Sequence, residues 1–284
     1  MKVRGRPGEK DILKMLNHRC VHAFKVWLDI ERPLRSAAEC FLFLDFDGTL
    51  SPIVSNPHQA ELAPRAQDLL GGLQRMPGMR IAIISGRSLH DIRSRVGLDL
   101  TYAGNHGLEI GGPGIDFIEE HAAATAGQIA AICADLSARL SAIPGALVEM
   151  KGLTATVHLR RIPNGRQAEA VAAVRQAVEP FSALVQARAG KKILELVPRV
   201  NWDKGKAARK ILQTVANSSD ILPICVGDDV TDEDLFREFP QGINIRVGGH
   251  GNTAASFFLT GPQETLTLLD RIGTLWRNQP KSNI

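Results

Sequence analysis

A short, uninterrupted apolar run at residues 41–44 ends directly at a set of acidic and glycine residues, 45–49. An apolar run without polar alternation is typical of a strand that is buried on both faces, as in a parallel sheet. In open sheets of that kind, ligands bind beyond the carboxyl ends of the strands. This segment therefore predicts a central strand of an α/β domain, with candidate functional residues at its end.

Strand-like and helix-like segments alternate on both sides of the middle of the chain. Short apolar runs bounded by glycine or polar residues predict strands, and longer amphipathic segments predict helices. Alternation of the two is typical of a doubly wound parallel sheet. The predicted strands lie at 41–44, 80–84, 221–226, 242–247 and 255–259, and the predicted helices lie at 64–75, 88–96 and 262–276.

The middle of the chain has a different pattern, in which a helix followed by two strands occurs twice. This pattern predicts a small four-stranded sheet with two helices on one face, inserted into the α/β core. We therefore predict an extension at 1–39, a core formed by 40–108 and 199–284, and an inserted smaller α/β domain at 109–198. The predicted elements of the insertion are helices at 119–140 and 166–178 and strands at 146–150, 153–159, 183–188 and 192–197.

The net charge of +4 comes from the extension alone. Residues 1–40 hold nine Lys or Arg against five Asp or Glu, and the rest of the chain is balanced. Because the rest of the chain carries no net charge, its composition gives no support for nucleic-acid binding. No stretch approaches about 18 uninterrupted apolar residues, so we expect no membrane span.

The four cysteines, Cys20, Cys40, Cys133 and Cys225, are scattered along the chain. None forms a Cys-x-x-Cys pair, so a zinc site is not expected. Cys40 and Cys225 lie in or beside strand-like runs, where we expect them to be buried. Unpaired cysteines fit a reducing, cytoplasmic setting.

Asp45 and Asp47 are the most informative pair of residues. At a strand end, side chains at i and i+2 can face the same cleft. One carboxylate can then attack phosphorus while the other handles protons, and Gly48 lets the backbone approach a phosphate. Two simpler interpretations remain open: an ordinary turn after a strand, or a calcium loop, although the later ligands of such a loop are missing.

Ser85 and Lys204 add two groups that suit a phosphate. Ser85 follows the second core strand, where its hydroxyl could hold a phosphate oxygen; the alternative is that it caps the next helix. Lys204 begins a helix after Asp203. A cation at a helix start is unfavourable for the helix dipole, and it would neutralise phosphate charge.

Three further carboxylates follow the predicted strand at 221–226. Asp228 and Asp229 come directly after it, and Asp232 lies one helical turn later. Such carboxylates repel one another unless a cation or a proton intervenes, and Mg²⁺ is bound by few carboxylates together with waters and phosphate oxygens. The alternative is ordinary acidic charge at a helix start, where Thr231 with Asp234 resembles a capping box.

Taken in order, these motifs resemble those of the haloacid dehalogenase superfamily, and more closely those of the trehalose-6-phosphate phosphatase family. The resemblance spans roughly residues 40–260. It is carried by Leu44-Asp45-Phe46-Asp47-Gly48-Thr49-Leu50-Ser51-Pro52-Ile53, Ala103-Gly104-Asn105-His106-Gly107-Leu108-Glu109, Trp202-Asp203-Lys204-Gly205-Lys206 and Gly227-Asp228-Asp229-Val230-Thr231-Asp232-Glu233-Asp234-Leu235-Phe236.

The resemblance implies a division of roles among the core residues. Asp45 would be the nucleophile that forms an aspartyl-phosphate, and Asp47 would act as general acid and then general base. Ser85 and Lys204 would hold the transferring phosphoryl group. Mg²⁺ would be the cofactor, held by the metal ligands Asp45, Asp47 through its backbone carbonyl, Asp228 and Asp232.

The inserted domain is similar to the cap of that family, which closes over the site and reads the sugar. One stretch departs from the family pattern: His158-Leu159-Arg160 stands where His-Tyr-Arg is usual. The residues that the resemblance implies in sugar binding are Asn105, His106, Gly107, Glu149, Lys151, Lys191 and Glu195.

The resemblance implies hydrolysis of trehalose 6-phosphate to trehalose and phosphate, in trehalose biosynthesis. The expected partner is a small-molecule sugar phosphate, and the expected state is a monomer or small homo-oligomer. Two alternatives remain. One is a phosphatase for a related sugar phosphate, such as sucrose phosphate. The other is a non-catalytic sugar-phosphate sensor, although a sensor need not keep both Asp45 and Asp47.

Overall fold

The computed structural model describes residues 20–54, 59–190, 192–216, 220–249 and 251–278. Within these residues the chain forms thirteen strands, eight α-helices and three short 3-10 helices. The strands are β1 (Val21–His22), β2 (Glu39–Leu44), β3 (Met79–Ile84), β4 (Thr101–Gly104), β5 (Glu109–Gly112), β6 (Ile115–Ile118), β7 (Leu147–Met150), β8 (Ala155–His158), β9 (Val185–Gly190), β10 (Ile193–Pro198), β11 (Ile221–Gly227), β12 (Ile243–Val247) and β13 (Phe257–Leu259). The helices are α1 (Trp27–Ser36), α2 (Pro64–Gln74), α3 (Leu89–Val96), α4 (Glu120–Leu140), α5 (Asn164–Val178), α6 (Lys204–Val215), α7 (Asp232–Glu238) and α8 (Pro262–Arg277).

The chain divides into two compact units. The first consists of Met1–Ala82 and Ala216–Ile284, and the second is Ile83–Val215. Strand β3 crosses this division along the chain. None of the described helices is long and apolar enough to cross a membrane.

The first unit contains a sheet with the order β1-β13-β12-β11-β2, which β3 extends beyond β2. Neighbouring strands from β1 to β2 run parallel. In β2, the side chains of residues 40–44 are all at most 1% exposed, because a central strand is covered on both faces. The doubly wound parallel sheet predicted for the core is therefore confirmed.

Part of the predicted extension belongs to the first unit, although residues 1–19 lie outside the described residues. Val21 and His22 pair in parallel with β13, and α1 contacts α8. Ile30 and Leu34 of α1 are fully buried. The sequence predicts an extension in this region but not β1, because a two-residue strand carries no periodicity and depends on its partner.

The second unit contains a hairpin that the sequence does not predict. Strand β5 pairs antiparallel with β4 and with β6. The turn between β5 and β6 consists of Pro113 and Gly114, and Gly114 has a φ of +78°. Because these residues resemble a loop and each strand has only four residues, the alternating pattern is too short to detect.

A separate four-stranded antiparallel sheet follows, with the order β7-β8-β10-β9. Helices α4 and α5 contact each other and pack on this sheet, as predicted for the inserted helix-strand-strand repeats. Alternate residues such as Ala155 and Val157 join the helices in one apolar core. The residues between them, such as Thr156, face the opposite side of the sheet, which we call the helix-free face.

Leu136 of α4 tests the core of this sheet, because it is fully buried in the cluster beneath the helices. We expect Leu136→Ala to lower the free energy of unfolding by about 2–5 kcal/mol, through lost transfer energy and a residual cavity. Leu147→Ala is the control, because Leu147 is 45% exposed; it should cost under about 1 kcal/mol. Urea titrations followed by circular dichroism measure both, and equal losses would contradict this packing.

Candidate functional site

Three carboxylates meet at the carboxyl ends of two neighbouring strands in the first unit. Asp45 follows β2, Asp228 follows β11, and Asp232 begins α7. One oxygen of each carboxylate lies within 4.8 Å of the other two. Asp45 is 6% exposed and Asp232 is fully buried. The parallel pairing of Leu44 with Val226 brings the residues after both strands to the same edge.

The backbone after β2 forms a tight loop around the carbonyl of Phe46. This oxygen accepts hydrogen bonds from the amides of Thr49, Leu50 and Ser51, and the amide of Gly48 donates to the carbonyl of Ser51 (2.7 Å). Asp47 is half-buried at the start of the loop.

Gly48 is required in that loop for two independent reasons. Its φ is +85°, which L side chains rarely adopt, and a Cβ at this position would overlap the carboxylate of Asp228. The loop after β2 and the acidic group after β11 therefore fit closely only with glycine here.

The loop after β11 is held by its own hydrogen bonds. The amide of Asp229 donates to Oδ2 of Asp232 (2.9 Å), and a Cβ on Gly227 would overlap the Asp232 carboxylate. Arg246 on β12 donates to the carbonyl of Asp229 (3.0 Å) and to Oε1 of Glu233 (2.9 Å). The carboxylate of Glu233 is buried, and its pairing with Arg246 compensates its desolvation while fixing the loop.

The predicted capping box at the start of α7 is wrong. Thr231 occupies the N-cap position with α-helical backbone angles and makes no side-chain capping bond. A capping side chain reaches the N2 or N3 amide from an extended backbone, which Thr231 lacks. Asp234 instead accepts a hydrogen bond from Arg237 (3.1 Å).

The donor set of the first unit fits a divalent cation. Carboxylates at this separation repel one another, and burial strengthens the repulsion unless positive charge or protons offset it. Oxygen ligands from a few carboxylates suit Mg²⁺. Asp45, Asp228 and Asp232 therefore form a candidate metal centre.

Ser85 lies directly after β3 and is 1% exposed. Its amide donates to the carbonyl of Ala103 (2.9 Å), and its hydroxyl oxygen accepts from the amide of Arg87 (3.2 Å). It does not cap the following helix, because Ser88 is the N-cap of α3 and accepts from the amide of Asp91 (3.2 Å).

A left-handed turn at residues 105–107 lies beside Ser85. Asn105, His106 and Gly107 have φ values of 49°, 59° and 93°. The amide of His106 donates to the carbonyl of Ser85 (2.9 Å), and the amide of Asn105 donates to that of Arg87 (2.6 Å). These two bonds fix the turn against the loop that follows β3.

Close packing explains the two glycines that flank this turn. A Cβ on Gly104 would overlap the backbone of Leu89, and a Cβ on Gly107 would overlap Ala207 of α6. The carbonyl of Gly107 accepts a hydrogen bond from Nε1 of Trp202 (2.8 Å). Gly107 thus contributes backbone geometry through contacts with Ala207 and Trp202.

His106, Glu195 and Lys151 form a charged group in the second unit. Nε2 of His106 lies 3.3 Å from Oε1 of Glu195, and Nζ of Lys151 donates to the carbonyl of Gly86 (3.1 Å). A Cβ on Gly86 would contact the His106 ring at 2.7 Å. Among the described residues, Nδ1 of His106 is buried with no hydrogen-bond partner.

The pKa of Glu195 shows how strongly positive charge acts at this point. Burial by itself would raise the pKa of this carboxyl from its usual 4.5. The hydrogen bond from His106 and the charges of His106, Lys151 and Lys204 outweigh burial and lower the pKa to about 2. Lys204 is itself 2% exposed, so the second unit carries a buried cation at the start of α6.

Glu149 lies on the same face of the four-stranded sheet as Glu195. The strand registers align Glu149 with Thr156 and Thr156 with Glu195. Glu149 is paired with Nε2 of His158 (2.8 Å). The Thr156 hydroxyl is buried without a hydrogen-bond partner in the part of the chain that the structure describes. Lys191, also expected to bind sugar, lies outside the described residues.

Asn105 differs from the other predicted sugar-binding residues because it is fully buried. Its side chain is hydrogen-bonded to Glu109, Thr154 and the carbonyl of Lys151. The sequence singles out neither Glu109 nor Thr154 as a functional residue, although Glu109 ends the motif that contains Asn105. Their contacts with Asn105 depend on β5 and on the loop between β7 and β8, so no local pattern identifies them.

A cavity of about 500 Å³ in the first unit lies away from these residues. Its lining includes Pro33, Ile221, Pro223, Phe239 and Gly242, and none of the predicted site residues lines it. Because Ile221 begins β11 and Asp228 follows the end of that strand, the cavity and the acidic cluster lie at opposite ends of β11.

Comparison with known proteins identifies similar sequences and structures. The sequence profile of the family described as trehalose-phosphatase matches residues 43–263. A trehalose-phosphate phosphatase from Mycobacterium tuberculosis is 39% identical over 249 residues, which cover 84% of this chain and 62% of that protein. The chain thus spans about three fifths of the length of the mycobacterial relatives that it matches.

Solved structures that resemble this chain include a protein related to trehalose-6-phosphate phosphatase and a haloacid dehalogenase-like hydrolase. A crystal structure of a trehalose-6-phosphate phosphatase related protein has a TM-score of 0.73 and 28% identity, covering 83% of this chain and 97% of that one. A haloacid dehalogenase-like hydrolase from Bacteroides thetaiotaomicron has a TM-score of 0.59 and 14% identity, covering 82% and 99%. The second match concerns the fold alone, and it agrees with the haloacid dehalogenase-like core predicted from the sequence.

Glu195 provides a test of the electrostatics of the second unit. Because its folded-state pKa is lowered from 4.5 to about 2, its contribution to stability is present above pH 4.5 and is lost as the pH falls through about 2. We expect Glu195→Gln to unfold at lower urea concentration than the wild type above pH 4.5, and the difference to shrink toward pH 2. Urea titrations at a series of pH values measure this, and a difference independent of pH would contradict it.

Proposed function

The chain belongs to the trehalose-phosphatase family, and we therefore propose that it hydrolyses trehalose 6-phosphate to trehalose and phosphate in trehalose biosynthesis. The observation that carries the proposal is the acidic cluster of Asp45, Asp228 and Asp232 at the carboxyl ends of parallel strands, where ligands of open α/β sheets bind. The wider family match, over residues 43–263, supports the choice of sugar phosphate.

We propose Mg²⁺ as the cofactor, held by Asp45, Asp228, Asp232 and the backbone carbonyl of Asp47. When bound, it would offset the negative charge that otherwise keeps a carboxylate nucleophile away from a phosphate dianion. The remaining steps belong to groups of the chain itself.

Asp45 acts as the nucleophile. Its carboxylate oxygen attacks phosphorus, and the bond between phosphorus and the sugar oxygen breaks. Asp47 donates a proton to that oxygen, so that trehalose leaves as a neutral alcohol and Asp45 carries the phosphoryl group. Asp47, now a carboxylate, takes a proton from water; the water oxygen attacks phosphorus, releases phosphate and restores Asp45.

Ser85 and Lys204 hold the transferring phosphoryl group in this proposal. The hydroxyl of Ser85 is fixed by the amide of Arg87, which leaves its proton to donate to a phosphate oxygen. Lys204 supplies positive charge from a buried position, where charge is screened least. Both groups stabilise negative charge on the equatorial oxygens as it develops.

The sugar is recognised by the polar groups of the second unit. His106, Lys151 and Glu195 offer both donors and acceptors, which sugar hydroxyls require. The side chain of His106 is 22% exposed, so a ligand can reach part of it. Glu149, Gly107 and Lys191 complete the proposed set.

We propose that residues 109–198 form the cap. Residues 40–108 and 199–284 form the core in this proposal, and residues 1–39 form an extension that precedes it.

A cytoplasmic enzyme is consistent with four free cysteines, of which Cys40, Cys133 and Cys225 are buried. We propose that it acts as a monomer or a small homo-oligomer.

Phosphate release tests the substrate. Purified protein with Mg²⁺ should release phosphate from trehalose 6-phosphate much faster than from glucose 6-phosphate or sucrose 6-phosphate, as measured with malachite green, and chelation by EDTA should stop it. If glucose 6-phosphate is hydrolysed as fast, the substrate is wrong. If no phosphate ester is hydrolysed, the chain is a sensor and not an enzyme.

Asp47→Asn separates the two roles proposed for Asp47. With trehalose 6-phosphate, turnover should fall at least about 100-fold, because the leaving alkoxide needs a proton. With p-nitrophenyl phosphate, whose leaving group needs none, the variant should give a burst of p-nitrophenolate stoichiometric with enzyme and then stall. Stopped-flow absorbance measures the burst. Asp45→Asn is the matched control and should give no burst; a burst from that variant would rule out Asp45 as the nucleophile.

A further inference from the structure

The side chain of Asn105 has hydrogen-bond partners at all of its polar atoms. Nδ2 donates to Oε1 of Glu109 (2.6 Å) and to the carbonyl of Lys151 (2.9 Å), and Oδ1 accepts from the hydroxyl of Thr154 (2.5 Å). The residue has no exposed surface. A side chain in this state has neither a free donor nor an accessible face for a sugar hydroxyl.

We propose that Asn105 is a positioning residue, which holds the loop at residues 151–154 so that Lys151 keeps its place beside Glu195. This inference rests on the proposed function, in which Lys151 and Glu195 bind the sugar. Asn105 would hold Lys151 in place without itself contacting the substrate. It replaces the expectation that Asn105 binds the sugar directly.

One end of the support is anchored through Glu109. Its Oε1 accepts from Nδ2 of Asn105 and also from the amide of Leu89 (2.7 Å), the first residue of α3. The backbone amide of Asn105 donates to the carbonyl of Arg87. Asn105 is thus fixed on one side to α3 and to the loop after β3, and on its other side it contacts residues 151–154.

The other end fixes both limits of the loop. Asn105 bonds the backbone carbonyl of Lys151 and the side chain of Thr154, and within the loop the amide of Lys151 donates to the carbonyl of Thr154 (2.9 Å). The Lys151 side chain then reaches the carbonyl of Gly86, and its charge lowers the pKa of Glu195. A change at Asn105 should therefore move the side chain of Lys151 without any substitution at Lys151 itself.

The backbone at this position decides which variants are informative. Asn105 has a φ of +49°, a left-handed conformation that Asn, Asp and Gly adopt more readily than other residues. Asn105→Asp keeps the size, the backbone preference and the acceptor for Thr154. It removes both donors, leaves the carbonyl of Lys151 with only the amide of Leu153 (3.2 Å) as a donor, and sets a second carboxylate against Glu109.

Hydrogen exchange measured by mass spectrometry tests the positioning role without requiring activity. In Asn105→Asp, amides of residues 151–154 should exchange at least about tenfold faster than in the wild type, while amides of α4 keep their rates. The Lys151 and Leu153 amides report directly, because both are hydrogen-bonded within this loop. Unchanged exchange at 151–154 would overturn the proposal.

Kinetics supply the second readout. In Asn105→Asp, the ratio of kcat/KM for trehalose 6-phosphate to kcat/KM for p-nitrophenyl phosphate should fall about tenfold, through KM for the sugar phosphate. A general structural defect would lower both values together and leave the ratio unchanged, which would overturn a role in positioning. A wild type that releases no phosphate would instead overturn the proposed function, and the exchange measurement would still decide the role of Asn105.

Thr154 provides a matched pair of variants in case Asn105→Asp fails to fold. Thr154→Val removes the hydroxyl that donates to Oδ1 of Asn105 at nearly constant shape, and Thr154→Ser keeps it. We expect the Val variant to show faster exchange at residues 151–154 and a lower substrate ratio, and the Ser variant to restore both. Equal behaviour of the two variants would contradict the proposal.

Discussion

Three carboxylates held within 4.8 Å of one another are the constraint on which the first unit depends. Their mutual repulsion has to be offset by the surrounding structure or by a cation. The parallel pairing of β2 with β11 brings Asp45 and Asp228 to one sheet edge, and the first turn of α7 adds Asp232. Gly48 and Gly227 leave the space that these carboxylates occupy, and Arg246 with Glu233 holds the connecting loop.

The second unit holds positive charge and hydrogen-bond donors, whereas the first unit holds the carboxylates. Lys204 is buried, and Lys151, His106 and Lys204 together keep the pKa of Glu195 low despite its burial. The left-handed turn that carries His106 is fixed to the loop after β3 by backbone bonds, and Asn105 extends the same fixation to the loop that carries Lys151. Rigid supports of this kind limit the cost of ordering polar groups when a ligand binds.

Local patterns predict the elements that position these groups, but not all of the contacts between them. The apolar runs predict β2, β3 and β11, and the residues after them follow directly. The hairpin of β5 and β6 escapes prediction because its strands are short and rich in glycine. The Thr231 prediction fails because capping depends on backbone angles that composition does not reveal. Asn105 lies in a motif that the sequence singles out, while the hydrogen bonds of its side chain form only once β5 and the loop after β7 are in place.

The sequence by itself determines the alternation of strands and helices, the acidic residues at two strand ends and the family to which the chain belongs, because these features lie in contiguous segments. Only the tertiary structure decides which carboxylates meet, why Gly48 must be glycine, and that Glu109 and Thr154 support Asn105. Those facts depend on distances between residues that are far apart in the chain, such as Asn105 and Thr154 or Gly48 and Asp228. Such distances are fixed by strand register and by packing, which no single segment encodes.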